Sequence, residues 1–234
     1  MPRLVTLSTP RLADIEWLSG PNARSSGSST AMSGFEQTFD TVGDVVSLRL
    51  NFAIAKNRQA RHNRGIVTAL PNGNAFRLKY LDPDRMLPAE AGIVGAFVSQ
   101  PWSNGQPWSN GLNWQPAYPT ISVGAASAYD SGIVYLPNTF WGHSLTIGDH
   151  IGFFPFHFGL YTVTQVIGDG EYRIWPRLRK ALTTDSFCTL SPTIVLRPKG
   201  KDVATWRRNP SNQDGVSIDC SEVIDPYVRT AFTE

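Results

Sequence analysis

Four groups of residues in this chain could do chemistry, and each asks for a different setting. Tryptophans Trp102, Trp108 and Trp114 recur every six residues within VSQPWSNGQPWSNGLNWQPAYPT, where Gln100–Gly105 is repeated unchanged as Gln106–Gly111. In an extended chain, side chains an even number of residues apart face the same side. Three indoles in a row can cover their own fold, dock on another subunit or stack on sugar rings, and the sequence leaves all three open. Arg58, Arg61 and Arg64, with His62 among them, form a basic stripe spaced by three. A stripe of this kind can grip phosphate, but a solvated helix face or pairing with acidic groups of a neighbouring subunit accounts for it more simply. These arginines are therefore candidate intersubunit charge contacts. His143, His150 and His157 are seven residues apart. A zinc site needs three or four ligands at short characteristic spacings, and steps of seven along strands and loops converge on nothing. No metal is expected; His150 and His157 should flank the turn around Phe153–Phe158 at a sheet edge. Cys188 and Cys220 sit in strand-like runs without a CxxC framework. They read as buried free thiols, with a disulfide between neighbouring strands as the alternative.

No Gly-x-Ser-x-Gly, P-loop or His-Glu-x-x-His motif is present, so no catalytic residue and no cofactor is assigned. The elements that must position these groups are mostly strands. Val45–Ile54 alternates, with Val46, Leu48, Leu50, Phe52 and Ile54 on one face and Ser47, Arg49 and Asn51 on the other, the pattern of a half-buried antiparallel strand. Leu160–Ile167 is rich in β-branched residues, and Gly168-Asp169-Gly170 supplies the tight turn to a return strand at Tyr172–Trp175. Pro176 lacks the N–H to extend that ladder. Val216–Val223 alternates Val216, Ile218 and Cys220 against Ser217, Asp219 and Ser221. Weaker strands are expected at Phe35–Phe39, Phe76–Leu81, Ile121–Val123, Gly132–Leu136, His150–Phe154 and Thr193–Arg197. One short amphipathic helix fits the stretch after Lys56, with Ala60, Val67 and Leu70 on one side and the three arginines on another. The fold expected is all-β, an antiparallel barrel or sandwich of about ten strands with one flanking α-helix. Residues 1–34 read as an N-terminal arm and a flexible Ser/Gly-rich linker. Residues 35–234 read as a single β-barrel-like domain with a Trp-rich loop insertion at about 98–120.

Composition narrows the function. Of 234 residues, 41% are hydrophobic and only 17% charged, with a net charge of +2. That is enough apolar material for a core, and the balance provides no field for sequence-specific nucleic acid or an anionic membrane. A surface built from Ser, Thr, Asn, Gly and aromatic residues suits contact with other chains. No run approaches the length of a membrane span, and the first residues lack the pattern of a signal peptide.

One resemblance bears on function. Gly148-Asp149, Leu160-Tyr161-Thr162-Val163, Ile174–Arg179, Thr189-Leu190 and Val195-Leu196-Arg197 occur in an order and spacing that resembles the distal tail proteins of long-tailed bacteriophages with non-contractile tails. Upstream, a helix followed by Gly-Asn-Ala-Phe-Arg-Leu at Gly73–Leu78 continues the likeness, which covers residues 35–223 loosely and 145–197 best. The resemblance implies a non-enzymatic structural virion protein, made in the host cytoplasm and placed at the tail tip. It would form a ring, usually of six copies, joining the tail tube protein to the baseplate hub and tail-tip proteins. The tape-measure protein and tail fibres are further candidate partners. Two alternatives stay open: a carbohydrate-binding or receptor-binding tail component using Trp102, Trp108 and Trp114, and the tail tube protein itself.

Overall fold

The computed structural model describes residues 4–6, 12–18, 25–30, 36–40, 44–70, 74–80, 82–87, 106, 120–199 and 215–229. Trp102, Trp108 and Trp114 lie outside the described residues. In chain order the strands are β1 (Leu4–Thr6), β2 (Leu12–Trp17), β3 (Ser25–Thr30), β4 (Glu36–Asp40) and β5 (Ser47–Phe52). Helix α1 (Asn57–Ala69) and β6 (Ala75–Lys79) follow. Next come β7 (Thr120–Ser122), β8 (Ile133–Tyr135), β9 (His150–Phe154), β10 (Tyr161–Gly168), β11 (Glu171–Trp175) and β12 (Phe187–Thr189). The chain continues through β13 (Thr193–Pro198) and β14 (Val216–Glu222) to a single-turn helix, α2 (Pro226–Arg229).

The protein is all-β, with one flanking helix of any length among the described residues. Two six-stranded sheets carry it, in the orders β1-β6-β13-β14-β5-β2 and β7-β12-β9-β10-β11-β8, beside a two-stranded ribbon, β3-β4. Every pairing is antiparallel apart from β1 on β6. The second sheet comes entirely from the continuous stretch 120–189. That stretch is inserted between β6 and β13, which are neighbours in the first sheet with Lys79 opposite Thr193. Ser25–Thr30, inside the stretch expected to be a linker, pairs with Glu36–Asp40.

The alternation of β5 is the physical basis of the first core. Leu48, Leu50 and Phe52 are buried and stand opposite Cys220, Ile218 and Val216 of β14, so both strands turn their apolar side chains to one face. Ile54 departs from the expected face. It lies beyond the end of β5 and is 65% exposed, because the pleat that alternates side chains ends with the strand. Helix α1 has no side-chain N-cap and contains Gly65, which costs about 1 kcal/mol against Ala. Burial of Ile66, Val67 and Leu70 against the sheet stabilises it by about 1.5–3 kcal/mol per side chain. Packing, not propensity, holds the helix.

The second sheet has its own core, in which Ile151, Phe153, Tyr161, Val163, Tyr172 and Ile174 are all buried. Val163 faces Ile174 across the β10–β11 hairpin. Beyond Val163 the hairpin leaves the core: residues 164–169 are exposed, and the register shifts twice before the turn. At the turn Gly170 has φ +77°, and a Cβ there would stand 2.9 Å from the Leu136 carbonyl oxygen. Only glycine meets both conditions. Leu160 and Trp175 pack into the first core, and Phe158 joins Ala75, Val195, Val223 and Val228 on another face. Trp17 stacks on His150 at 5.4 Å. The two sheets are thus locked together by side chains at the paired start of β10 and end of β11, away from the exposed hairpin tip. Cys188 and Cys220 lie in different cores and are free thiols; the disulfide alternative falls.

Candidate functional site

The sequence-assigned groups go to separate places. Arg58, Arg61 and Arg64 are exposed on α1, opposite its buried Ile66 and Val67. None of the three forms an ion pair among the described residues. The histidines diverge. His143 is exposed in a bridge with Phe140. His150 stacks on Trp17, with Asp82 Oδ2 3.9 Å from its Nε2, and burial holds its pKa below the ordinary value. His157 is buried. No cluster of three or more potential metal ligands occurs among the described residues.

What the fold does assemble is a buried charge cluster where the two sheets meet. Glu222 ends β14 and is almost wholly enclosed. Arg179, just after β11 and Pro176, donates from Nε to Glu222 Oε1 and from Nη2 to Oε2, both at 3.0 Å. Its Nη2 also donates to the Asp44 carbonyl. Arg229, the last residue of α2, donates from Nη1 to Glu222 Oε1 at 3.3 Å and to the Val223 carbonyl at 3.5 Å. The Val46 N–H donates to Glu222 Oε2 at 3.4 Å. Both carboxylate oxygens are therefore fully engaged. Two guanidiniums share the Glu222 carboxylate, and the Asp44 charge also acts on Arg179, in a setting where unpaired charge is costly.

A chain of hydrogen bonds runs from this cluster into the 154–159 turn. The Arg179 N–H donates to Tyr161 Oη at 3.0 Å, and Tyr161 Oη lies 2.6 Å from His157 Nε2. Tyr161 is fully buried, so its own proton must find an acceptor. His157 Nε2 is that acceptor, which places the imidazole proton on Nδ1. Burial, reinforced by the positive charges of Arg229 and Lys180, pulls the His157 pKa down to about 3, so the ring is neutral. Burial pushes the Tyr161 phenol above its ordinary range, which keeps its proton in place. Gly159 makes the arrangement possible: a Cβ there would stand 2.5 Å from Tyr161 Oη.

Between the turn and α2 is a cavity of about 100 Å³. Phe156, His157 and Phe158 line it from the turn, Arg179 and Lys180 from the segment after β11, and Pro226 and Arg229 from α2. Phe156 sits at its edge, half exposed, with φ +54°, a conformation bulky residues adopt only when the surroundings enforce it. Lys180 Nζ donates to the Phe156 carbonyl at 3.2 Å and ties the turn to the segment after β11.

Sequence reasoning missed this cluster, although one signal was present. Glu222 continues the inward phase of Val216, Ile218 and Cys220 in β14, and a carboxylate in a buried register requires partners. His157, expected at a sheet edge, is instead buried against Tyr161. No protein-family model matches this chain, and no curated protein matches its sequence.

Proposed function

We propose that this protein is a structural, self-assembling component of a bacteriophage tail, the distal tail ring that joins the tail tube to the baseplate hub and tail-tip proteins. In this reading it acts at the tail tip of the virion without catalysis or a cofactor. The segments that carry the likeness to distal tail proteins best run from Gly148-Asp149, just before β9, through β10 and β11 to β13. They include Arg179, which bridges the two sheets. The observation that carries an assembly role is the apolar edge of the second sheet. On the edge strand β8, Ile133 and Tyr135 are each more than a third exposed, as are Val166 and Ile167 on the projecting end of β10. Beyond β11, no described strand pairs with β8. An edge strand with outward apolar side chains is a surface that soluble monomers normally blunt. Arg58, Arg61 and Arg64 offer a second, charged surface on α1.

The test is the size of the purified protein by light scattering and electron microscopy, alone and with the tail tube and hub proteins. A ring running at several times 25.8 kDa is the expected result. Long tubes would indicate the tail tube protein instead. A monomer that binds glycans, and loses that binding on Trp108→Ala, would indicate a carbohydrate-binding tail component. A monomer that neither assembles nor binds glycans would overturn the whole reading.

A further inference from the structure

The first sheet draws both of its outermost strands from one short stretch of chain. β1 lies at one edge, on β6, and β2 at the other, on β5, with four strands between them. Only the five residues 7–11 join Thr6 to Leu12. Interstrand spacings of about 4.8 Å put the two edges of a flat sheet of this order roughly 24 Å apart. The backbone steps from Thr6 to Leu12 reach at most about 20–22 Å when fully extended. Direction makes the demand greater. β1 is parallel to β6, and the antiparallel pairings β6–β13, β13–β14, β14–β5 and β5–β2 bring β2 to the same sense. The chain must therefore travel from the finishing end of β1 back to the starting end of β2, a crossover that ordinarily takes about a dozen residues or more. Within one chain this connection closes only if the sheet curls until its two edges almost meet.

We infer that the outer edge of β6 is a strand-acceptor site whose occupant in the assembled protein is β1 of a neighbouring copy. An exchanged β1 makes the same pairing, Leu4 on Ala75, Val5 on Phe76 and Thr6 on Arg77, so the edge loses nothing. The neighbour's position is then free to suit a five-residue connection, and short hinges of this kind invite exchange. β1 is also easily released. It is three residues long and makes the one parallel pairing among the described strands, the weaker kind per residue. Once it leaves, the outer N–H and C=O groups of β6 are bare, and an unpaired edge recruits another strand. The contact is head-to-tail, the β6 edge of one copy meeting the β2 side of the next, which is the kind of interface that generates rings. This inference rests on the self-assembling reading and deepens it by naming the strand exchanged.

The experiment uses the full chain carrying both Thr6→Cys and Arg77→Cys, positions opposite each other across β1 and β6. The assembled fraction is oxidised with diamide and run on non-reducing gels. Cys188 and Cys220 are buried, so the new pair reports alone. Exchange predicts disulfide-linked bands at two and more times 25.8 kDa. Chains with only Thr6→Cys, assembled together with chains with only Arg77→Cys, should link one of each kind, which no pairing within a chain can produce. A chain lacking residues 1–6 should run as a monomer; if it fails to fold, the disulfide pattern decides. Assembled protein whose double variant links only within single chains, or forms neither disulfide, overturns the exchange and leaves the ring reading standing. Protein that stays monomeric even with the tail tube and hub proteins overturns both.

Discussion

Arg179 and Glu222, 43 residues apart in sequence, meet as a two-point fork, Nε on Oε1 and Nη2 on Oε2, each at 3.0 Å. One comes from the connection between β11 and β12 of the second sheet and the other from the last strand of the first, so this pair fixes how the sheets sit together. Glu222→Gln should cost about 3–5 kcal/mol, because it strands two buried guanidiniums without a counter-charge. Arg177→Met, two residues away in a partly exposed pair with Asp130 at 3.6 Å, should stay within about 1 kcal/mol. Urea unfolding of the two variants checks this. Equal midpoints would show that the buried fork does not hold the sheets.

His157 should give the protein a pH dependence of its own. Its folded pKa is about 3 against an ordinary 6.5, so between those limits the unfolded chain binds the extra proton. Stability is then full above the ordinary value and falls as pH drops through the window, by up to about 1.4 kcal/mol per pH unit. The carboxylates contribute too, so the informative quantity is the difference between wild type and His157→Gln. The variant should lose stability less steeply on acidification. Parallel curves would mean that His157 is not held neutral by the fold.

Gly159→Ala should destabilise by about 1–3 kcal/mol, since the new methyl would press on the Tyr161 ring at 2.6 Å and its hydroxyl at 2.5 Å. Gly168→Ala meets nothing within 4 Å and should leave the melting temperature nearly unchanged. Similar losses at both positions would contradict the packing described around Tyr161.

The phase of β10 is tested by one residue type at two positions. Val163 is fully buried and Val166 is 45% exposed. Val163→Asp buries an unpaired carboxylate at a cost of several kcal/mol, a large share of a total of about 5–15. Soluble protein should be lost. Val166→Asp should fold with a melting temperature close to wild type, and its assembly state then reports whether the hairpin tip makes contacts between chains.

Local patterns in the sequence carried most of the architecture. The alternation through Leu48, Leu50 and Phe52, the Gly168-Asp169-Gly170 turn and the helix under Arg58, Arg61 and Arg64 each depend on neighbours a few residues away. They are all present in the structure. Ile54 was misplaced because alternation does not reveal where a strand stops. The charge cluster was illegible for a different reason. Arg179 lies 43 residues before Glu222, whereas Arg229 is only 7 after it, and no local rule says that an arginine in Trp-Pro-Arg-Leu-Arg will be buried. Only Glu222, standing in the apolar phase of β14, carried a warning. Trp102, Trp108 and Trp114 lie outside the described residues, so the role of the repeat rests on the sequence.

The insertion of 120–189 between two adjacent strands has a consequence for how the chain emerges from the ribosome. β6 ends at Lys79 and its neighbour β13 begins at Thr193, so 114 positions (193 − 79) must be translated before the ladder between them can begin. At about 5–20 residues per second that is roughly 6–23 s. During this interval the second sheet, whose strands all come from one continuous stretch, can close on its own apolar interior. The first sheet can finish only when β13 and β14 arrive, and the last charge to reach Glu222 is Arg229, seven residues further on. Until then the edge of β6 that awaits β13 is open to nascent copies on neighbouring ribosomes, a window in which co-translational mispairing competes with the native fold.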